Sequence, residues 1–214
     1  VSSAGMTTRS SARPTGNGSS PERPRPIQRL HQAMDSYEIR LCGTGGQGLI
    51  LAGRILADAV VREGRWVAQS QAFEPLSRGG VSQADLVISS SMVDFPLVSD
   101  LDFLLVLDEL AVAGTHELLT PASSILLDSE RVATDVLDAC RPIRLPLVET
   151  ARTLGNLRAA NMVALGALVA LTDVCQRDSL EAAMLRVSPK GFQQINQRAI
   201  EVGCGLGAES KQPA

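Results

Sequence analysis

The chain has few aromatic residues, few histidines and few cysteines. Phenylalanine, tryptophan and tyrosine make up 3% of its 214 residues, so the core must be built from aliphatic side chains. Its two histidines are His31 and His116. A serine–histidine hydrolase or a histidine-ligated metal site would need His116, and no cluster of ligand residues surrounds it in the sequence. We therefore expect His116 to lie on the surface.

The four cysteines do not suggest a metal site or a disulfide framework. They are far apart and form no C-x-x-C pair, which argues against a zinc site or an iron–sulfur cluster on this chain alone. Free and mostly buried thiols are typical of a reducing compartment, and we expect a cytoplasmic protein. The four are Cys42, Cys140, Cys175 and Cys204.

Two further absences exclude other classes of protein. The net charge is −3, and no basic patch is interleaved with aromatic residues, which argues against a nucleic-acid binder. The longest apolar stretch runs from Met162 to Thr172 and is too short for the ~20 residues that a membrane-spanning helix needs. We expect neither nucleic-acid binding nor membrane insertion.

Composition divides the chain into one domain with two tails. Residues 1–35 are rich in serine, proline, glycine and arginine, and such a segment buries too little apolar surface to offset the entropy of ordering it. We predict that this segment is a disordered N-terminal tail. Residues 36–204 are predicted to form a single α/β domain, followed by a flexible C-terminal tail over residues 205–214.

Glycine is concentrated where the predicted domain begins. A β-type run from Tyr37 to Cys42 leads into Gly43-Thr-Gly-Gly-Gln-Gly48, and a stretch of helical character follows. Gly43, Gly45 and Gly48 fit G-x-G-x-x-G, the fingerprint of a strand, a tight turn and a helix that receive a dinucleotide. The N-terminus of such a helix is also suited to an anion. The alternative is that these glycines only make a tight turn.

A bound NAD or FAD is nevertheless disfavoured. A dinucleotide site normally has an acidic residue about 20 residues after the glycines, at the end of the second strand, where it holds the ribose hydroxyls. That strand is predicted to end at Ala68-Gln-Ser-Gln71, which contains no acid. Glu63 precedes the strand and Glu74 follows it, so neither is in the expected place.

A second glycine pair follows about 30 residues later, in Ser77-Arg-Gly-Gly80. Two adjacent glycines after an arginine indicate a loop whose backbone comes close to a ligand or to another segment of the protein. Arg78 could hold a carboxylate or a phosphate through its guanidinium. The alternative is a surface arginine before a two-glycine turn.

The order of strands and helices predicts the fold class. Continuous apolar runs such as Asp102–Asp108 are typical of strands buried on both faces of a parallel sheet, and we expect a helix from Glu109 to Leu119 after this one. The C-terminal third is predicted to be helical, with an apolar helix over Ala159–Leu171 and a last helix over Pro189–Val202 capped by Ser188. The predicted class is α/β, with a doubly wound, mostly parallel sheet flanked by helices.

These motifs together resemble the γ subunit of 2-oxoacid:ferredoxin oxidoreductases, a family whose substrates include pyruvate, 2-oxoglutarate, branched-chain 2-oxoacids and indolepyruvate. The resemblance covers about Tyr37 to Gly203. One departure is Phe73-Glu-Pro75, where many relatives have Tyr-Gly-Pro, so the phenol hydroxyl is absent here. The motifs are Gly43-Thr-Gly-Gly-Gln-Gly48, Ala52-Gly53, Phe73-Glu-Pro-Leu-Ser-Arg-Gly-Gly80, Asp94-Phe-Pro-Leu-Val98, Gly155-Asn156 and Ala160-Asn-Met-Val-Ala-Leu-Gly166.

The resemblance implies a role within a complex rather than a complete enzyme. In the family, thiamine diphosphate with Mg²⁺ decarboxylates the 2-oxoacid, [4Fe–4S] clusters pass electrons to ferredoxin, and coenzyme A (CoA) collects the acyl group. The chain has neither a thiamine-diphosphate motif nor cluster-binding cysteine spacing. We therefore expect it to be inactive alone, and to need catalytic α and β subunits with or without a ferredoxin-like δ subunit.

The resemblance also suggests which residues of this chain contact a ligand. We expect the two glycine loops to help position CoA, and we expect no catalytic or metal-ligating residue on this chain. Two alternatives stay open: a purely architectural clamp between the catalytic chains, and an independent dinucleotide-binding oxidoreductase. The predicted cofactor-binding residues are Gly43, Gly45, Gly46, Gln47, Gly48, Ser77, Arg78, Gly79 and Gly80.

Overall fold

A computed structural model describes residues 36–74, 79–133, 137 and 140–211 of the chain. The predicted N-terminal tail, residues 1–35, lies outside the described residues, as do residues 212–214 of the predicted C-terminal tail.

The domain is built on one six-stranded sheet with the order β2-β3-β1-β4-β5-β6. Strand β3 is antiparallel to both of its neighbours, β1 and β2, whereas β1, β4, β5 and β6 pair in parallel. Only β3 runs against the rest of the sheet, so the predicted mostly parallel α/β architecture is confirmed. The strands are β1 (Ser36–Thr44), β2 (Trp66–Phe73), β3 (Val81–Ser89), β4 (Leu101–Val106), β5 (Leu119–Asp128) and β6 (Ile143–Leu145).

Five α-helices of the described chain contribute to one large apolar core on one face of the sheet. Because side chains alternate along a strand, this face takes Ile39 and Leu41 of β1 and Phe103 and Leu105 of β4. Four of the helices lie in the C-terminal third, as predicted. The helices are α1 (Leu49–Arg62), α2 (Leu147–Thr153), α3 (Ala160–Thr172), α4 (Arg177–Val187) and α5 (Gln193–Ser210).

The opposite face of the sheet carries a smaller apolar cluster without α-helices among the described residues. The predicted helix from Glu109 to Leu119 is wrong, because the chain there forms two short 3₁₀ turns, Glu109–Ala111 and His116–Leu118. Asp108 caps the first turn by accepting a hydrogen bond from Leu110 N at 3.3 Å, and Gly114, with φ of 80°, separates the two. A residue with positive φ does not continue a right-handed helix.

The last helix begins and ends later than the sequence predicts. Pro189 precedes a 3₁₀ turn and α5 begins at Gln193, so Ser188 is not its N-cap. Ser188 instead ends α4, and its hydroxyl accepts a hydrogen bond from Asn196 Nδ2 at 3.1 Å. Helix α5 continues to Ser210, which corrects the prediction of a flexible tail for residues 205–210.

Helix α3 is apolar on all sides and lies in the middle of the helical layer, as predicted. Every residue of α3 except Ala170 is buried. Glycines allow its backbone to approach that of α5: a Cβ atom on Gly203 would lie 2.0 Å from Val163 O, and one on Gly166 would lie 2.2 Å from Ile200 O. Real Cβ atoms cannot come so close, so the spacing of α3 and α5 requires glycine at these positions.

This packing predicts opposite effects for two glycines of α5. Gly203→Ala should destabilise the domain by about 1–3 kcal/mol or more, because the new methyl group forces the helices apart. Gly205→Ala is the matched control, since no atom lies within 4 Å of its Cβ position and alanine has the higher helix propensity. Urea denaturation of the two variants measures the difference, and equal stabilities would show that α3 and α5 are not held at this spacing.

Candidate functional site

The glycine loop between β1 and α1 forms the sharp turn that the sequence predicts. Gly46 has φ of 93° and Gly48 has φ of 73°, conformations that side-chain-bearing residues rarely adopt. Gly48 is the N-cap of α1, where no side chain caps the helix and no acidic residue lies in the first turn. The N-terminus of α1 is therefore electrostatically suited to an anion.

Two of the predicted ligand-contacting residues instead give the loop its shape. Gln47 Oε1 accepts a hydrogen bond from Thr44 N at 2.8 Å, and its Nε2 donates to the carbonyl oxygen of Leu107, the residue just after β4, at 3.3 Å. A Cβ atom on Gly43 would lie 2.2 Å from Gln47 Oε1, so glycine there makes room for this amide. Both polar ends of Gln47 are thus occupied within the protein.

The structure brings the two glycine motifs together. Gly45 N donates a hydrogen bond to Gly80 O at 2.9 Å, which joins the glycine loop to the segment before β3. Glu74 closes that segment, since its backbone N donates to Val81 O at 2.9 Å and its carboxylate accepts from Val81 N at 3.2 Å. Gly79 is exposed with φ of 82°. The other two predicted residues of this motif, Ser77 and Arg78, lie outside the described residues.

The strand order separates this site from a standard dinucleotide site. In a dinucleotide-binding fold, the second strand lies next to the first and its acidic end residue reaches the ribose. Here β3 lies between β1 and β2, so the end of β2 is two strand spacings, about 10 Å, from β1. The carboxylate of Glu74 is also engaged by Val81 N. Topology and residue type therefore both disfavour NAD or FAD.

Sequence reasoning missed Asn161, which lies on α3 below the loop. Its Nδ2 donates a hydrogen bond to Gly48 O at 2.9 Å, and the residue is only 3% exposed. A Cβ atom on Gly48 would lie 2.5 Å from this nitrogen, so Asn161 and the glycine fit closely. One sequence signal was available: Asn161 is the only polar side chain between Ala160 and Leu171, and a buried amide requires a partner.

A cleft of about 230 Å³ opens beside the glycine loop. Its rim includes the exposed Arg158, which forms no ion pair with the other described residues. Ligand pockets are usually ~300–1,000 Å³, so this cleft has room for part of a cofactor-sized ligand. The lining combines apolar, amide, cationic and glycine-backbone groups: Gly46, Gly48, Leu51, Arg158, Asn161, Met162, Pro189, Phe192 and Asn196.

The described residues provide no set of catalytic side chains at this site. Burial raises the pKa of the Cys42 and Cys175 thiols to about 12, so both are protonated at neutral pH and are poor nucleophiles. Within the described ranges, no group of three or more histidine, cysteine and acidic residues could hold a metal ion. No helix of this part of the chain is long and apolar enough to cross a membrane. His116 is exposed, as expected.

Comparison with known proteins identifies similar chains. The family model described as pyruvate ferredoxin/flavodoxin oxidoreductase matches residues 38–206. The 2-oxoglutarate synthase subunit KorC of Archaeoglobus fulgidus is 35% identical over 176 residues, which is 82% of this chain and 90% of that one. The match therefore spans the described domain and nearly all of the relative.

Two solved structures have a similar fold. The γ subunit of a keto/oxoacid ferredoxin oxidoreductase from Geobacter sulfurreducens is 34% identical, with a TM-score of 0.71, over 82% of this chain and 98% of that one. The 2-oxoglutarate:ferredoxin oxidoreductase of Magnetococcus marinus, solved with 2-oxoglutarate, CoA and succinyl-CoA bound, has a TM-score of 0.73 over 85% of this chain. This chain covers 32% of that longer protein at 23% identity, which shows a shared fold.

The role of Gln47 predicts a stability effect. Gln47→Leu should cost about 1–3 kcal/mol, because it leaves the N–H of Thr44 and the carbonyl of Leu107 without their partners. Gln194→Leu, at an exposed position of α5, is the control and should change stability by no more than about 0.5 kcal/mol. Chemical denaturation compares the two. If both variants were as stable as the wild type, Gln47 would not hold the loop.

Proposed function

This chain belongs to the pyruvate ferredoxin/flavodoxin oxidoreductase family, and from this premise we propose that it is the γ subunit of a 2-oxoacid:ferredoxin oxidoreductase. The complex would catalyse CoA-linked oxidative decarboxylation of a 2-oxoacid, or the reverse. The single observation that carries this proposal is the match over residues 38–206, which is nearly the whole described domain. The 98% coverage of the Geobacter γ subunit supports the same subunit type.

We propose 2-oxoglutarate as the 2-oxoacid, because the Archaeoglobus relative is a 2-oxoglutarate synthase subunit. The described residues present no catalytic set, so the substrate pocket belongs to partner chains. When bound to those chains, thiamine diphosphate with Mg²⁺ supplies the carbanion chemistry and [4Fe–4S] clusters carry the electrons away. Among the described residues, no group of three or more histidine, cysteine and acidic side chains could hold a metal ion.

The chain's own contribution is to position CoA and to help close the active site. Phosphate groups of CoA suit the uncapped N-terminus of α1, where the backbone of Gly45 and Gly46 leaves room for close approach. Arg158 adds a cation at the rim of the cleft, and no carboxylate among the described residues forms an ion pair with it. Gly79 and Gly80 border the same site through the Gly45–Gly80 hydrogen bond. Ser77 and Arg78 are included in this proposal because of their sequence motif alone. Gly43 and Gln47 instead maintain the shape of the loop.

The proposed partners are the catalytic α and β subunits, with or without a ferredoxin-like δ subunit, and ferredoxin as the electron acceptor. The cleft of about 230 Å³ is smaller than a CoA site, so partner surfaces must complete it. A cytoplasmic location fits a complex that reduces ferredoxin and carries free thiols.

The second candidate function is a purely architectural clamp between the catalytic chains. The internal hydrogen bonds of Gln47 favour it, because they show that part of the glycine motif serves the turn itself. The clamp and the CoA-positioning subunit differ in one respect. A change in the charge of the glycine loop that leaves the complex assembled should weaken CoA binding if the subunit positions CoA. The same change should have no effect on CoA binding if the subunit is only a clamp.

Paired substitutions at Gly46 test the CoA proposal. Gly46 is exposed and no atom lies within 4 Å of its Cβ position, so both Gly46→Asn and Gly46→Asp fit sterically and share the strain of positive φ. The aspartate adds a negative charge beside the N-terminus of α1. In the assembled complex, we expect Gly46→Asp to raise the KM for CoA about tenfold over Gly46→Asn, equivalent to about 1.4 kcal/mol.

The KM for the 2-oxoacid should be the same in both variants, and CoA-dependent reduction of a viologen dye measures both constants. Equal KM values for CoA in two fully assembled variants would reject CoA positioning and leave the architectural clamp.

A further inference from the structure

The two edges of the sheet differ in how they are protected from pairing with another strand. Edge strand β6 has three residues, includes Arg144 and lies between Pro142 and Pro146. Short length, charge and proline are the usual devices that prevent a free sheet edge from recruiting a new strand. The β6 edge is therefore closed to further pairing.

Edge strand β2 has none of these devices. Trp66–Phe73 is eight residues long, contains no charged residue and no proline, and pairs with β3 in unbroken register. Among the described strands it pairs only with β3, so its outer backbone N–H and C=O groups are directed away from the sheet. An edge of this kind is a template for a strand from another chain.

The sequence of β2 indicates which chain would supply the pairing strand. Ala68-Gln-Ser-Gln-Ala72 reads the same in both directions, with Ser70 at its centre. Antiparallel pairing of two copies about Ser70 places Ser70 opposite Ser70, Ala68 opposite Ala72, and Gln69 opposite Gln71. Because side chains alternate, alanine and serine share one face and the glutamines share the other, and a twofold axis perpendicular to the sheet preserves both faces.

We propose that β2 pairs with β2 of a second copy of this chain, which joins the two sheets into one. This interface is separate from the CoA-positioning role and goes beyond it. It makes the γ subunit the twofold connection between two copies of the enzyme complex.

Side chains along β2 support a second copy as the occupant. Gln69 would lie directly opposite Gln71 of the other copy, with the Cβ atoms of the two residues about 4.5–5.5 Å apart. Phe73, now 65% exposed, would lie opposite Val67 of the other copy. Apolar and amide pairs at directly opposite positions each contribute to strand pairing.

A disulfide trap at Ser70 tests the proposed axis. Directly opposite residues of antiparallel strands have Cα atoms about 4.5–5.5 Å apart, which is within the range that a disulfide spans. Under mild oxidation, Ser70→Cys of the full chain should convert mostly to a covalent dimer on a non-reducing gel. The matched controls are the wild type, with its four native cysteines, and Ser90→Cys, at an exposed position just after β3; both should stay monomeric on that gel.

A charge at the same position provides the second measurement. Ser70→Lys places two ammonium groups opposite each other, so light scattering should show half the mass of the wild type. Gln194→Lys, on the exposed side of α5, adds the same charge and should keep the dimer.

Three results would overturn the proposal. They are a wild-type chain that is monomeric at high micromolar concentration, Ser70→Cys that cross-links no faster than Ser90→Cys, and protection of β2 amides from hydrogen exchange that appears only when a different subunit is added. The last result would assign the edge to a catalytic partner. None of these measurements uses CoA, so failure here leaves the proposed function unaffected.

Discussion

The hydrogen bond from Asn161 to the carbonyl of Gly48 connects the candidate site to the most deeply buried helix of the domain. Helix α3 cannot shift, because apolar neighbours surround it and its backbone lies against α5 at Gly166 and Gly203. The N-cap of α1 is therefore fixed by the core. Gln47 holds the other side of the loop to β4 through Leu107. The loop thus keeps its left-handed glycines in place, with the N-terminus of α1 uncapped by any side chain.

This arrangement suggests how a chain whose described residues include no catalytic set contributes to an oxidoreductase. Its thiols at Cys42 and Cys175 are buried and protonated, and the carboxylate of Glu74 is engaged by the backbone. What the chain presents is a rigid backbone surface, a helix dipole and the cation of Arg158. Such groups are suited to binding and orienting an anion, and in the proposed complex bond making and breaking would remain with the cofactors of the partner chains.

Much of this could be predicted from the sequence because local signals agreed with the fold. The apolar run over Ala159–Leu171 predicts helix α3, and the glycine motif predicts the tight turn between β1 and α1. The structure confirms both predictions. The antiparallel direction of β3 could not be predicted, since its residues alternate in the same way in either direction. The 3₁₀ turns that replace the predicted helix after β4 depend on the Asp108 cap and on Gly114. Helix α5 continues past Gly203 because contact with α3 outweighs the low helix propensity of its glycines.

An anaerobic pull-down of the tagged full chain from its native cell tests the central claim most directly. The eluate would be assayed for reduction of a viologen dye that depends on both 2-oxoglutarate and CoA. The account predicts co-purified chains that carry thiamine diphosphate and iron–sulfur clusters, together with this activity. A chain that purifies alone, with a bound flavin or nicotinamide chromophore, would contradict it, and the glycine loop would then be a dinucleotide site.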